Sequence, residues 1–351
     1  MTRMPRYRTG VPGLDERIGE LAEQVGGVDD DLVFELVVSS VRLGLDRANR
    51  GDLKIANAAL KEMREAFHVF GPYRAAHKAA IFGSARTQRD DPLYAQTVRI
   101  ARDLAAADWM VITGAGPGIM EAGVEGAGAD SSFGVGIRLP FEAVTTQFLD
   151  DDPKLLSFRY FFTRKLTFVK EADGFVLLPG GFGTLDEAFE LLTLVQTGKA
   201  PPAPIVLLDV PGGTYWSTWR DFVERELVVR GYISPGDMTL VRVTDDPEVA
   251  LEELTRFYAN YHSLRFVDGD LVLRMRRAPT ADELDRLNDD FADIVARGRI
   301  ESVRTSRIEV AQDDVPDLAR LRFRFDRFSY PRLRHLVDAL NDLVEGAEPT
   351  R

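Results

Sequence analysis

The sequence predicts an α/β fold built on a doubly wound parallel sheet, and three observations carry that expectation. From about Lys78 onward, short β-branched or apolar runs alternate with stretches of helical period. The runs are apolar throughout, as strands covered on both faces are. Several of them end in glycine-rich turns that lead straight into helices. The runs are Ala79 to Phe82, Trp109 to Ile112, Phe133 to Leu139, Gly174 to Leu178, Pro204 to Leu208 and Leu240 to Val243. Before them, Leu32, Leu36, Val37, Val41 and Leu43, then Leu53, Ile55, Leu60, Met63 and Phe67, recur at helical spacing. Residues 1–75 are therefore expected to be a helical segment ended by Gly71-Pro72, and 76–260 the sheet domain. After Tyr261 the pattern becomes strand, helix, strand, strand, helix, beginning with Leu264 to Arg274 around Asp268-Gly269. That predicts a small α+β accessory domain over 261–351. Within it Leu321, Phe323 and Phe325 alternate with Arg320, Arg322 and Arg324, the pattern of a half-buried strand with a solvated basic face.

The 351 residues suffice for two or three domains, and 45% hydrophobic with 28% charged residues is ordinary for a globular chain. A formal net charge of -12 speaks against a nucleic-acid-binding surface, so the expected partner is a small molecule or another copy of the chain. With no cysteine there can be no disulfide, thiolate metal site or cysteine nucleophile, and the 4 histidines show no metal-ligand spacing. No metal is expected. Met1 to Arg6 runs into polar residues without the apolar core of a secretion leader, and no apolar run approaches the roughly 18 residues of a membrane span. A cytoplasmic protein with no membrane partner is the expectation.

Ligands of doubly wound sheets sit beyond the carboxyl ends of the strands. Four turns stand there: Gly83-Ser84-Ala85-Arg86, Thr113-Gly114-Ala115-Gly116-Pro117-Gly118, Leu139-Pro140-Phe141-Glu142, and Pro179-Gly180-Gly181-Phe182-Gly183-Thr184-Leu185-Asp186-Glu187. The last is the most informative. Gly180, Gly181 and Gly183 let backbone N–H groups approach a ligand, Thr184 adds a hydroxyl, and a helix starting near Leu185 adds partial positive charge. The spacing is not that of a Walker loop and no lysine follows, so a monophosphate is the expected occupant. The second turn is near the dinucleotide fingerprint, but the ribose-binding acid about 20 residues on is missing, which disfavours a dinucleotide. Glu187 has two readings. A carboxylate beside a phosphate site needs a task of its own, while Thr184-x-x-Glu187 also fits a capping box. Ser157 to Phe168 reads as a helix, on which Arg164 lies among Tyr160, Phe161, Thr167 and Phe168. A guanidinium among aromatic rings calls for an anion, unless it reaches water or pairs with Glu171 or Asp173; Lys165 is open to the same alternatives.

Arg164-Lys165, the Pro179 to Glu187 turn and Gly114-x-Gly116-Pro117-Gly118-Ile119-Met120-Glu121-Ala122 together resemble the LOG (LONELY GUY) family, often labelled lysine decarboxylase, over about residues 76–260. Gln196-Thr197-Gly198-Lys199 looks like its larger bacterial subgroup. The resemblance implies a Rossmann-like fold, a homodimer or higher oligomer, and cleavage of the N-glycosidic bond of a nucleoside 5'-monophosphate. The products would be free base and ribose 5-phosphate, and the substrate AMP or an N6-substituted AMP such as a cytokinin nucleotide. The arginine and glutamate at Arg164 and Glu187 match the family's catalytic pair, and Gly180, Gly181, Gly183 and Thr184 match its phosphate loop. Gly83, Ser84, Gly116, Gly118, Glu121 and Lys165 are further expected substrate contacts, and no cofactor is implied. A catalytically silent nucleotide sensor or carrier is the alternative on the same fold. A single-stranded DNA-binding relative is another, against which the acidic balance speaks.

Overall fold

The computed structural model describes residues 7–27, 29–138, 152–312 and 314–345. Met1 to Arg6 and the third candidate turn, Leu139-Pro140-Phe141-Glu142, lie outside the described residues. The chain divides into two compact units, Met1–Arg64 and Glu65–Arg351. In the first, helices α1 (Leu14–Val25) and α2 (Asp30–Leu45) bury Ile18, Ala22, Phe34 and Val38 against one another, and α3 (Arg50–Phe70) begins there and ends in the second. The helical period read from Leu32 and Leu36 holds, yet those two side chains stay exposed because Phe34 and Val38 face inward.

The second unit holds a seven-stranded parallel sheet in the order β4-β3-β2-β1-β5-β6-β7. Its strands are β1 (Lys78–Phe82), β2 (Met110–Thr113), β3 (Ser132–Ile137), β4 (Leu155–Phe158), β5 (Gly174–Leu177), β6 (Ile205–Leu208) and β7 (Arg242–Thr244). The α/β doubly wound class is as expected. Successive residues of the central strands feed opposite layers: in β1, Ala80 and Phe82 pack with helices α6 (Phe161–Glu171), α7 (Phe182–Gln196) and α8 (Tyr215–Phe222). Ala79 and Ile81 pack with α4 (Pro92–Ala106), α5 (Ile119–Ala127) and α9 (Pro247–Arg256). Burial on both faces explains why the central strands β1, β2, β5 and β6 are mostly apolar. Local signals set the helix starts: at α4 the Asp91 carboxylate accepts from Leu93 N at 2.9 Å, with Pro92 in the first turn.

β4 corrects the sequence expectation, which placed Ser157 and Phe158 in a helix. The segment instead pairs with β3 in parallel, Gly134 opposite Leu155 and Ile137 opposite Phe158, and α6 begins only at Phe161. Leu156 and Phe158 point into the core while Ser157 faces out. Four residues of alternation at a sheet edge are too short to stand out beside the aromatic run that follows.

From β4 the chain crosses back past β1 to β5, and Ala80 of β1 lies between Ile112 of β2 and Phe175 of β5. β1 and β5 therefore flank the point where the winding reverses, and a crevice opens at their carboxyl ends.

A four-stranded antiparallel sheet follows in the order β10-β11-β9-β8, made of β8 (Tyr261–Val267), β9 (Asp270–Met275), β10 (Val295–Val303) and β11 (Ala319–Phe325). Helices α10 (Ala281–Asp290), α11 (Arg307–Ala311) and α12 (Tyr330–Glu345) complete it. Asp268 (φ 52°) and Gly269 (φ 89°) close the β8–β9 hairpin in left-handed conformations, the geometry that favours Asp-Gly in a two-residue turn. The solvated basic face expected of β11 is only partly there. Arg322 and Arg324 are exposed and pair with Asp270, but the Arg320 side chain is fully buried. Its Nε donates to Glu309 Oε1 at 3.2 Å, and Arg274 Nη2 donates to the same oxygen at 2.8 Å. Burial alone would raise the Glu309 carboxyl, but the hydrogen bonds from Arg274, Ser306 and Arg320 outweigh it and hold the group at about 2. Alternation along β11 tells which residues share a face; it cannot tell that α11 covers part of that face.

Candidate active site

At the reversal point the turns after β1, β2 and β5 are joined by backbone hydrogen bonds. Leu178 N donates to Phe82 O (2.8 Å), Ser84 N to Pro179 O (3.2 Å) and Ile119 N to Ser84 O (3.1 Å). Gly118 permits the last of these: its φ is +69°, and a Cβ there would lie 2.4 Å from the Ser84 carbonyl oxygen. These turns wall a cleft of about 840 Å³. Gly83, Ser84, Arg86, Gly114 and Met120 line it from the turns after β1 and β2 and the start of α5, Phe161 and Arg164 come from α6, Gly180 to Glu187 from the turn after β5 and α7, and Tyr215 from α8.

α7 begins at Phe182, earlier than the start near Leu185 expected from the sequence, with Gly181 as its N-cap and no side chain capping it. Thr184 is thus inside the first turn and Glu187 beyond it, so the capping-box reading of the pair fails. The backbone N–H groups of Phe182, Gly183 and Thr184 head the helix without intrahelical acceptors, at the wall of the cleft. An anion placed there meets free donors and the positive end of a 15-residue helix.

Arg164 reaches the cleft from α6 with its side chain 12% exposed. Its Nε donates to Val135 O of β3 at 2.8 Å, the guanidinium lies 5.1 Å from the Phe168 ring centre, and Nη1 stands 3.9 Å from Glu187 Oε1. It does not pair with Glu171 or Asp173, which are engaged by Lys170 and by the Lys78 N–H. Gly114 makes this placement possible, since a Cβ there would fall 2.4 Å from Arg164 Nη2. Burial lowers the Arg164 pKa and the nearby Glu187 works against that. Glu187 itself is buried, and burial pushes its carboxyl up to about 7 although Arg164 and Lys165 pull the other way. A buried carboxylate with one loosely placed cation is set to receive a proton or to face positive charge near neutral pH.

The family model described as "Possible lysine decarboxylase" matches residues 118–254. The cytokinin riboside 5'-monophosphate phosphoribohydrolase of Mycobacterium tuberculosis (strain ATCC 25618 / H37Rv) is 31% identical over 166 residues, 46% of this chain and 86% of that protein. The chain belongs to the LOG family. Among plant LOG proteins, the Arabidopsis thaliana cytokinin riboside 5'-monophosphate phosphoribohydrolase LOG7 is 34% identical over 102 residues, 26% of this chain and 45% of its own. The probable enzyme LOGL3 of Oryza sativa subsp. japonica is 32% identical over 99 residues, 28% of this chain and 44% of its own. The chain thus matches less than half the length of these plant relatives. A solved molybdenum cofactor carrier protein from Chlamydomonas reinhardtii shares 18% identity and a TM-score of 0.35 over 50% of this chain and 94% of its own, too loose a likeness to inform on ligands.

The structure sorts the LOG motif residues into two groups. Gly83, Ser84, Arg164, Gly180, Gly181, Gly183, Thr184 and Glu187 line the one cleft. Gly116, Gly118, Glu121 and Lys165 lie outside its lining: Gly116 backs Met120, Glu121 accepts from Arg89 at 2.6 Å, and the Lys165 ammonium sits between Asp186 (2.8 Å) and Glu190 (2.6 Å) of α7. Phe161, Arg86 and Tyr215 were not singled out as site residues from the sequence. For Tyr215 a signal existed, because Val210-Pro211-Gly212-Gly213 is one more glycine turn at the carboxyl end of a strand of this sheet.

Proposed function

We propose that this LOG protein hydrolyses the N-glycosidic bond of a nucleoside 5'-monophosphate, AMP or an N6-substituted AMP such as a cytokinin nucleotide, as a cytoplasmic member of the larger bacterial subgroup. The observation that carries the reading is the convergence of Arg164 and the buried Glu187 on a cleft headed by the α7 N-terminus. The activity named for the relatives supports it. The phosphate takes the donors of Phe182, Gly183 and Thr184, which fixes the sugar. Arg86, exposed at the cleft and without an ion-pair partner among the described residues, adds positive charge there. As the C1'–N bond breaks, its electron pair leaves with the base and positive charge grows on the ribose. The Glu187 carboxylate stabilises that charge and takes a proton from the water whose oxygen bonds to C1', and the release of that proton to the departing base, which it carries in place of the ribose, returns Glu187 to its ionised form. Arg164, held by Val135 O and Phe168, orients the nucleotide and supports negative charge on the leaving base or the phosphate.

If the phosphate aligns the sugar, base release from AMP should exceed that from adenosine by roughly a hundredfold or more in kcat/KM. Chromatographic assay of both substrates checks this, and equal rates would remove the phosphate from the mechanism.

Apolar surface near the cleft motivates a second proposal. Phe161, Phe162 and Leu166 are exposed on α6, and Phe182, at the head of α7, is 94% exposed. A second copy of the chain is the proposed cover, making the protein at least a homodimer. Light scattering at micromolar concentration is expected to give a multiple of 39.2 kDa, and the mass of one chain would refute it.

A further inference from the structure

The glycine turn has little stiffness of its own, so the direction of its peptide groups has to be set from outside. Ser84 N holds Pro179 O, and a second contact holds the next carbonyl. α8 starts at Tyr215, and the turn before it is clamped by buried Asp209, which accepts from Val210 N at 2.9 Å and from Tyr215 N at 3.0 Å. The Tyr215 ring packs edge-on against Trp216, with centroids 4.8 Å apart. From that anchored position its hydroxyl donates to Gly180 O at 2.6 Å. Burial pushes the hydroxyl pKa above the usual tyrosine range, so the group stays a donor across the working pH range.

We propose that Tyr215 is a positioning residue for the phosphate loop: by holding the Gly180 carbonyl it sets the Gly180–Gly181 peptide plane that leads into the α7 N-terminus. The C=O and N–H of a peptide unit are coplanar and opposed, so anchoring the oxygen also fixes the Gly181 N–H. It further keeps an unsatisfied carbonyl dipole from turning toward a bound anion. The inference rests on the reading of Gly180 to Thr184 as a phosphate cradle, and Asp209 reaches the loop only through Tyr215.

Tyr215→Phe removes the donor and keeps the ring. Calorimetric titration of full-length wild type and variant with inorganic phosphate and with AMP is expected to show about tenfold weaker binding of both. Adenosine affinity should not change. In turnover of AMP the KM should rise by a similar factor with kcat within about twofold, a split that loss of packing would not produce. Unchanged phosphate affinity in a folded variant would overturn the proposal. So would a large fall in melting temperature, which would make the hydroxyl a structural tie; Tyr215→His, which keeps a donor, should in that case restore stability and phosphate affinity together. A wild type that binds phosphate but releases no base would sink the hydrolase reading while leaving this inference standing. A wild type that hydrolyses AMP alongside an unaffected Phe variant would do the reverse.

Discussion

Glu187→Gln is expected to lower AMP turnover by on the order of a thousandfold, because the amide keeps the shape of the carboxylate but cannot stabilise ribose charge or accept a proton. AMP binding should be intact or slightly tighter, since a carboxylate near the phosphate site is gone. The same substitution has a predictable effect on stability. Burial raises the folded-state pKa of Glu187 to about 7, from an unfolded value of 4.5. Between those pH values the folded protein binds more protons at this site than the unfolded chain, so its contribution falls as pH rises through that window. Above about pH 7 the ionised side chain costs the fold on the order of 3 kcal/mol. Glu187→Gln should therefore melt a few degrees higher than wild type at pH 8 and nearly with it at pH 5. Wild-type activity should climb as pH passes through about 7 with ionisation of Glu187. Rates, melts and an AMP titration on the same samples check all four results. A variant that keeps its activity would leave Glu187 without a catalytic task.

Arg164→Ala should cost on the order of a hundredfold or more in kcat/KM and weaken AMP binding, because it removes the largely buried cation from the cleft and leaves Glu187 without its nearest opposite charge. Without the guanidinium the Glu187 carboxyl should rise further, moving the pH limb of any residual activity to the alkaline side. Arg164→Lys should not rescue it, since an ammonium is a single point of charge and cannot reproduce a planar fork that both holds Val135 O and faces Glu187. Arg159→Ala is the control: Arg159 is exposed and outside the cleft lining, and its loss should do little. Indistinguishable rates and affinities for the Arg159 and Arg164 variants would reduce Arg164 to a packing residue.

Much of the site was legible because its parts are local. The Gly180 to Glu187 turn and the Arg164-Lys165 pair carry their meaning in adjacent residues, and a strand followed by glycines and a helix marks a ligand-facing edge wherever it occurs. What was not legible depended on a second segment. Lys165 has the same sequence context as Arg164, yet one residue of rotation along α6 places it on Asp186 and Glu190 instead of in the cleft. Thr184 and Glu187 have capping-box spacing, but Gly181 begins the helix three residues too early for the box to form. Arg320 reads as a solvent-facing arginine until α11 brings Glu309 over it.

By itself the sequence determined the parallel sheet, the glycine turns at its edge and two of the charged side chains that line the cleft, Arg164 and Glu187, since apolar runs buried on both faces and glycine turns before helices have few other uses. Only the tertiary structure decided that Arg164 and Glu187 meet, that burial lifts Glu187 toward neutrality and that the Tyr215 hydroxyl reaches Gly180 O. Those outcomes turn on distances of a few ångströms between segments far apart in the chain, and on how much water each group loses, neither of which any local pattern encodes.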